Sequence, residues 1–196
     1  MAALLNFLTD FADQAVALPL VLAVLLGLLG LRWWRGAGAW ALAACFTFGT
    51  ILLLKIVFAA CATQLAATGI HSPSGHTASA CLVYGGLFVL LARRPSHMLT
   101  ALFIAAAFAI VFGYSRLALE VHTPGDVAAG GLIGLLGVAV LVVAAGRRPE
   151  PLLRWPIGVS VVGVLVVFHG FRLPAEGAIR HFALADWIPF LSACHA

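Results

Sequence analysis

The sequence predicts an all-α fold: a polytopic transmembrane helical bundle with about six membrane-spanning helices. Three observations predict it. Of the 196 residues, 63% are hydrophobic and only 9% charged, against about 25% charge in an ordinary soluble domain. Mean hydropathy is +1.11, which leaves too little polar side chain to cover a water-facing surface and argues against a soluble all-α domain. The apolar residues also fall into six runs separated mostly by short polar loops.

The runs are roughly 15–31, 39–60, 76–92, 98–114, 126–145 and 155–171. A helix needs about 20 residues to cross the hydrocarbon, with about 17 at the short end. The first, third, fourth and sixth runs are near that lower bound. The chain therefore reads as one integral membrane domain over residues 1–196, with a catalytic core at about 50–146 and no internal repeat. The N-terminus lacks a charged n-region and an early cleavage site, so it does not read as a cleaved signal peptide. In the fifth run, Ala128, Ala129, Gly130, Gly131, Gly134 and Gly137 put small residues at i and i+4, where they let helix backbones approach closely. Residues 172–196 contain Pro174, Gly177 and Pro189 and read as an outward tail with a short interfacial helix at about 178–187.

Charge sets the expected orientation. The loops after runs one, three and five carry Arg32, Arg35, Arg93, Arg94, Arg147, Arg148 and Arg154, seven of the eleven Lys and Arg residues. Among the acids only Glu150 lies on that side. The positive-inside rule puts these loops in the cytoplasm and both termini, with loops two and four, on the other face. Trp33, Trp34 and Trp155 flank the arginines as interfacial anchors would. The expected location is a bacterial inner (cell) membrane. The formal net charge of +4 points to anionic headgroups as partners. No basic run with interleaved aromatics suggests nucleic acid.

The four cysteines, Cys45, Cys61, Cys81 and Cys194, form no CxxC or Cys/His metal pattern. Cys45 falls mid-helix and reads as packing. The other three fall near one membrane face, which leaves a disulfide open. No histidine or carboxylate cluster has ligand spacing, so neither metal nor cofactor is expected.

Loops two and four hold the chemistry. Loop two ends Ser72-Pro73-Ser74-Gly75-His76-Thr77, and loop four reads Ser115-Arg116, then His122-Thr123-Pro124-Gly125-Asp126. Both are even-numbered connections, so topology alone brings them to one membrane surface. Ser74 can cap the third helix, leaving the N–H groups of Gly75, His76 and Thr77 to face an anion, aided by the helix dipole. Gly75 leaves room for close approach. Lys55, near the outer end of the second helix, and Arg116, at the end of the fourth, bring two fixed cations. A lysine in an apolar helix suggests function, and the arginine fork suits phosphate oxygens. Of the two histidines, one can attack phosphorus while the other protonates the leaving oxygen. Asp126, four residues after His122, can hold that imidazole, and Pro124 sets the first turn of the fifth helix. Each part also has a plain structural use: Thr123-x-x-Asp126 as a capping box, Ser74 as an N-cap, Lys55 as a snorkelling side chain. Their joint occurrence on one face favours the chemical reading.

At these residues the sequence resembles the type 2 phosphatidic acid phosphatase family, which shares its site with vanadium haloperoxidases. The family's Pro-Ser-Gly-His motif is matched in full by Pro73, Ser74, Gly75 and His76. Its Ser-Arg, five residues, His, three residues, Asp motif is matched by Ser115, Arg116, His122 and Asp126. Its first motif, Lys, six residues, Arg-Pro, is only partly present: Lys55 stands, but Ala62 and Thr63 replace Arg and Pro. His71 and Gln64 are nearby candidates to replace the missing cation. The resemblance covers Lys55 to about Gly137.

It implies a metal-free phosphatase. His122 would form a phosphohistidine, oriented by Asp126. His76 would protonate the leaving group and later activate water. Lys55, Ser74, Gly75 and Arg116 would cradle the phosphoryl oxygens. The expected substrate is a lipid-linked phosphate monoester or diphosphate; similar family members act on phosphatidic acid, phosphatidylglycerol phosphate, polyprenyl diphosphates and lipid A phosphates. The alternatives are a phosphotransferase using the same site and an inert lipid-binding or transport protein. Intact His76, His122 and Asp126 argue against inertness, and the absence of a broken-helix repeat pair argues against transport. The haloperoxidase relatives are mostly soluble, unlike this chain. Neither the particular lipid nor the oligomeric state is written in the sequence.

Overall fold

The computed structural model describes residues 2–92, 97–146, 155–184 and 194. All regular elements among them are helical: α1 Ala2–Asp10, α2 Gln14–Gly30, α3 Trp34–Ala60, α4 Ala62–Leu65 with a 3-10 turn Ala66–Thr68, α5 Gly75–Leu91, α6 Met98–Ala118, α7 Pro124–Ala145, α8 Trp155–Phe168 and α9 Ala175–Ala183. The stretch Ala3–Gly30, α3, α6 and α7 are long and apolar enough to cross a membrane, and α5 and α8 are shorter apolar helices. The chain is an integral membrane bundle of about four to six spans.

The six expected runs correspond to α2, α3, α5, α6, α7 and α8. A short helix in the tail, α9, begins earlier than the expected one, at Ala175. α1 has no counterpart among the runs: residues 2–10 are too few to span alone and carry no strong pattern. Arg93, Arg94, Arg147, Arg148, Arg154, Glu150, Trp187 and Pro189 lie outside the described residues.

The caps explain where the site-bearing helices start. The Ser74 side chain accepts the Thr77 N–H at the start of α5. Thr123 and Asp126 form a reciprocal capping box on α7, with Pro124 in its first turn. Two orphan donors are satisfied at once by such a box.

Helix association in lipid relies on packing and interhelical hydrogen bonds. The core gathers around Trp40, whose indole N–H donates to Val21 O at 2.9 Å. Leu20, Leu28, Leu82, Leu90 and Leu141 are fully buried with it. The glycine face of α7 permits the closest approaches. A Cβ on Gly134 would lie 2.6 Å from Cys81 Cβ, and one on Gly130 would lie 2.3 Å from Ser74 O. The first contact seats α5 on α7; the second seats the loop before α5 on α7.

Three expectations from composition are corrected by packing. Trp33 is buried against Gly36, not set at an interface, whereas Trp34 and Trp155 are exposed. Cys81 is buried within α5 against α7, away from any disulfide, and Cys45 is exposed on α3, not packed. The disulfide joins Cys61 to Cys194, tying the tail to the end of α3. At the other end of the bundle, Arg35 Nε donates to Ala144 O at 3.0 Å, where a cation complements the C-terminus of α7.

α1 and the segment after α8 close over the end that carries loops two and four. The Tyr84 hydroxyl donates to Phe11 O at 2.7 Å. His169 packs against Phe7 and Phe11 with ring centroids 4.5 and 4.3 Å away. Arg172 Nε donates to Asp10 Oδ1 at 2.7 Å.

Candidate active site

Asp126 is the centre from which the site is assembled. Its Oδ1 accepts the N–H groups of His71 and Ser72, each at 2.8 Å. Its Oδ2 accepts the Thr123 N–H at 2.9 Å and lies 3.4 Å from His122 Nδ1. Its backbone carbonyl accepts the Ser74 N–H at 2.9 Å. One buried carboxylate thus joins loop two to loop four and holds an imidazole. The cap and the hold on His122, which compete as readings of the sequence, are made by the same carboxylate.

With Nδ1 on the carboxylate, His122 turns its Nε2 away from Asp126, and the ring lines a cavity of about 960 Å³. Burial pushes the His122 pKa down, the charges of Lys55 and Arg116 push the same way, and Asp126 opposes them without prevailing. The ring is held neutral, the form that can act as a nucleophile.

His76 lines the same cavity and has a carboxylate of its own. Its Nε2 lies 3.5 Å from Oδ2 of Asp13, the N-cap of α2. Oδ1 of Asp13 accepts the N–H groups of Ala15 at 2.9 Å and Leu173 at 3.2 Å. Asp13 is therefore fixed on one side by two backbone donors and presents its other oxygen to the imidazole.

Lys55, Arg116 and Arg172 add cations to the polar lining. Lys55 is 7% exposed, donates to Ser72 Oγ at 2.8 Å and pairs with Glu176. Arg116 donates from Nη1 to Thr9 Oγ1 at 3.2 Å, while its Nε is buried with no hydrogen-bond partner among the described residues. An unmatched buried donor on a fixed cation is costly and suits an incoming anion. Part of the lining is apolar, with Leu18, Phe48, Ile51 and Leu52 from α2 and α3. Leu18 and Leu52 are exposed.

Four expectations change here. The Ser74 hydroxyl is fully buried, receives both the N–H and the hydroxyl of Thr77, and does not line the cavity. It caps α5 and is not part of the cavity wall. The Thr77 N–H is consumed by that cap, leaving Gly75 and His76 as the first-turn residues at the cavity. Ser115 is buried with its hydroxyl on Phe112 O at 2.6 Å, a bond within its own helix. Gln64 donates to Cys194 O at 2.9 Å and lies away from the cavity; His71 lines it.

Residues 55–150 match the model of the PAP2 superfamily. This part of the chain is similar to the PAP2 superfamily. A Klebsiella pneumoniae protein described as "Uncharacterized 22.5 kDa protein in cps region" is 28% identical over 188 residues, covering 92% of this chain and 90% of the relative. No solved structure matches the chain. That similarity supports a phosphatase-type function. The matched segment begins at Lys55 and contains His76, Arg116, His122 and Asp126. The carboxylates of Asp13 and Glu176 come from outside it. Both are among only seven acids in the chain, and that scarcity was the one signal available for them.

Proposed function

We propose that the protein is a metal-independent membrane phosphatase that hydrolyses a lipid-linked phosphate monoester or diphosphate through a phosphohistidine. The observation that carries this reading is a single cavity whose lining includes His76 and His122, each beside its own carboxylate, together with Lys55 and Arg116. A nucleophile and an acid need different proton states, and separate carboxylate partners allow that.

In this mechanism neutral His122 attacks phosphorus through Nε2. The bond from phosphorus to the lipid-side oxygen breaks, and His76 gives that oxygen its proton. The alcohol leaves, or a lipid monophosphate if the substrate is a diphosphate. Water then gives a proton to His76 and attacks the phosphohistidine. The P–N bond breaks, and inorganic phosphate and neutral His122 are regenerated. Lys55, Arg116 and the first-turn N–H groups of Gly75 and His76 stabilise the charge on the transferring group. Preset donors of this kind usually lower the barrier more than any other single effect in phosphoryl transfer. Asp126 orients His122, and Asp13 orients His76.

The apolar wall between α2 and α3 supports a lipid as substrate, because an acyl or prenyl chain can lie there while its phosphate reaches the polar wall. The disulfide at the site's end and the arginine at the opposite end support a site on the non-cytoplasmic face of a cell membrane, since disulfides persist in oxidising compartments. The test is phosphate release from a panel of lipid phosphates by purified protein in detergent, with His122→Ala as control. Release from none of the panel would overturn the reading.

A further inference from the structure

The cation of the proposed phosphoryl seat already holds an anion from the protein's own chain. Glu176, in the first turn of α9, sets one carboxylate oxygen on Lys55 Nζ. Its other oxygen accepts the Ser72 hydroxyl at 2.7 Å. Lys55 itself donates to Ser72 Oγ, so ammonium, hydroxyl and carboxylate close a ring of contacts beside His122.

The two ions are unequally placed. The Lys55 side chain is 7% exposed and that of Glu176 is 64% exposed. If the pair parts, the glutamate regains water and the lysine does not. The lysine is then left needing another anion, because an unpaired buried charge is costly. Partial burial pushes the Glu176 pKa up, but the bonds from Lys55 and Ser72, with the charge of Lys55, outweigh it and hold the group below the ordinary glutamate range. The carboxylate is thus ionised at neutral pH.

The lining as a whole is not cationic. Asp10, Asp13, Asp126 and Glu176 face Lys55, Arg116 and Arg172. Of the four acids, Asp126 is fixed by two loops, Asp13 by two backbone N–H groups, and Asp10 by Arg172. Only Glu176 sits on the seat's lysine.

We propose that Glu176 is a built-in competitor that sets the affinity threshold of the seat: it holds Lys55 and Ser72 until a phosphoryl group displaces it. This rests on reading Lys55 as a phosphate-binding cation. Displacement needs only rotation of an exposed side chain. α9 can stay docked through Ala183, which is buried against Ala60 and Cys61. A competitor that must leave first weakens every ligand by the same factor, the fraction of time the seat is open. Weakly held, singly charged phosphodiesters, the headgroup chemistry of bulk bilayer lipids, then fall below useful occupancy. Doubly charged phosphomonoesters and diphosphates can engage both Lys55 and Arg116 and remain bound.

Calorimetry on the full chain in detergent tests this, using inorganic phosphate and diethyl phosphate as probes. Glu176→Gln and Glu176→Ala should bind phosphate about 5-fold or more tightly than the wild type, and diethyl phosphate tighter by a similar factor. In a Lys55→Gln background the same changes should have no effect. Equal or weaker phosphate binding by both Glu176 variants would overturn the competitor role. Phosphate binding by neither wild type nor variants would overturn the phosphoryl seat as well, and with it the phosphatase reading.

Discussion

At the scale of single residues, the two histidines are distinguished by their partners. His122→Ala should abolish turnover. His76→Ala should cost about 100- to 10,000-fold on an alkyl phosphate, the scale for losing a general acid, and less on a nitrophenyl phosphate, whose leaving group needs little protonation. Asp13→Asn keeps an acceptor for the α2 cap yet removes the charge beside His76. Its rate loss should show the same dependence on leaving group and should vanish in a His76→Ala background. A loss equal for both substrates would make Asp13 structural only. Asp126→Asn is a harsher change than a lost orienting group, because an amide NH₂ must replace one oxygen that now accepts N–H donors. Thermal unfolding should report a loss of about 1–3 kcal/mol along with the rate, the scale of an unsatisfied buried group. Burial and the charges of Lys55 and Arg116 hold the His122 pKa below the ordinary imidazole range, and the proposed mechanism uses the neutral ring. The acid limb of kcat/KM should therefore lie below the ordinary imidazole range, and Lys55→Gln should move it upward. A wild-type limb at or above neutral pH would contradict the assignment.

At the scale of elements, the same packing that builds α7 positions the site. Gly130 allows the Ser74 carbonyl to rest on the helix, which sets the height of His76 relative to His122. Gly130→Val should destabilise the protein by about 1–3 kcal/mol, as overpacking does, and reduce turnover more than KM, measured by unfolding and steady-state kinetics together. Unchanged kinetics in a folded variant would separate the helix contact from the chemistry. Lys55, His76, Arg116, His122 and Asp126 are legible in the sequence because they sit at fixed offsets from helix starts and ends, where caps announce the geometry. Asp13 and Glu176 are not legible. They lie in α2's N-cap and in α9, and their partners are set by how α1, α9 and the segment after α8 fold back over the site. Ser74 and Ser115 match motif positions, yet helix hydrogen bonding uses up their hydroxyls. A motif gives a residue's place but not the direction of its side chain.

At the scale of the whole molecule, an apolar bundle delivers sequence-distant polar groups to one end, and this architecture follows from composition and run length alone. Where short helices cross is less legible, since α5 and α8 owe their placement to neighbours and not to length. The site end carries the disulfide, so membrane-impermeant thiol reagents on intact cells should label single cysteines placed in loops two and four; protection of both would reverse the orientation. Among the described residues no group of three or more His, Cys, Asp or Glu side chains could hold a metal ion. Activity should survive excess EDTA, and loss restored by magnesium would count against the mechanism. The central claim is a phosphoryl group carried on His122, and rapid-quench labelling with a radioactive lipid phosphate addresses it most directly. The account predicts acid-labile, base-stable phosphate on the wild-type protein, none on His122→Ala, and accumulation on His76→Ala when the substrate has an activated leaving group, because hydrolysis of the phosphohistidine also needs His76. Label present on His122→Ala and absent from His76→Ala would contradict it and reassign the nucleophile.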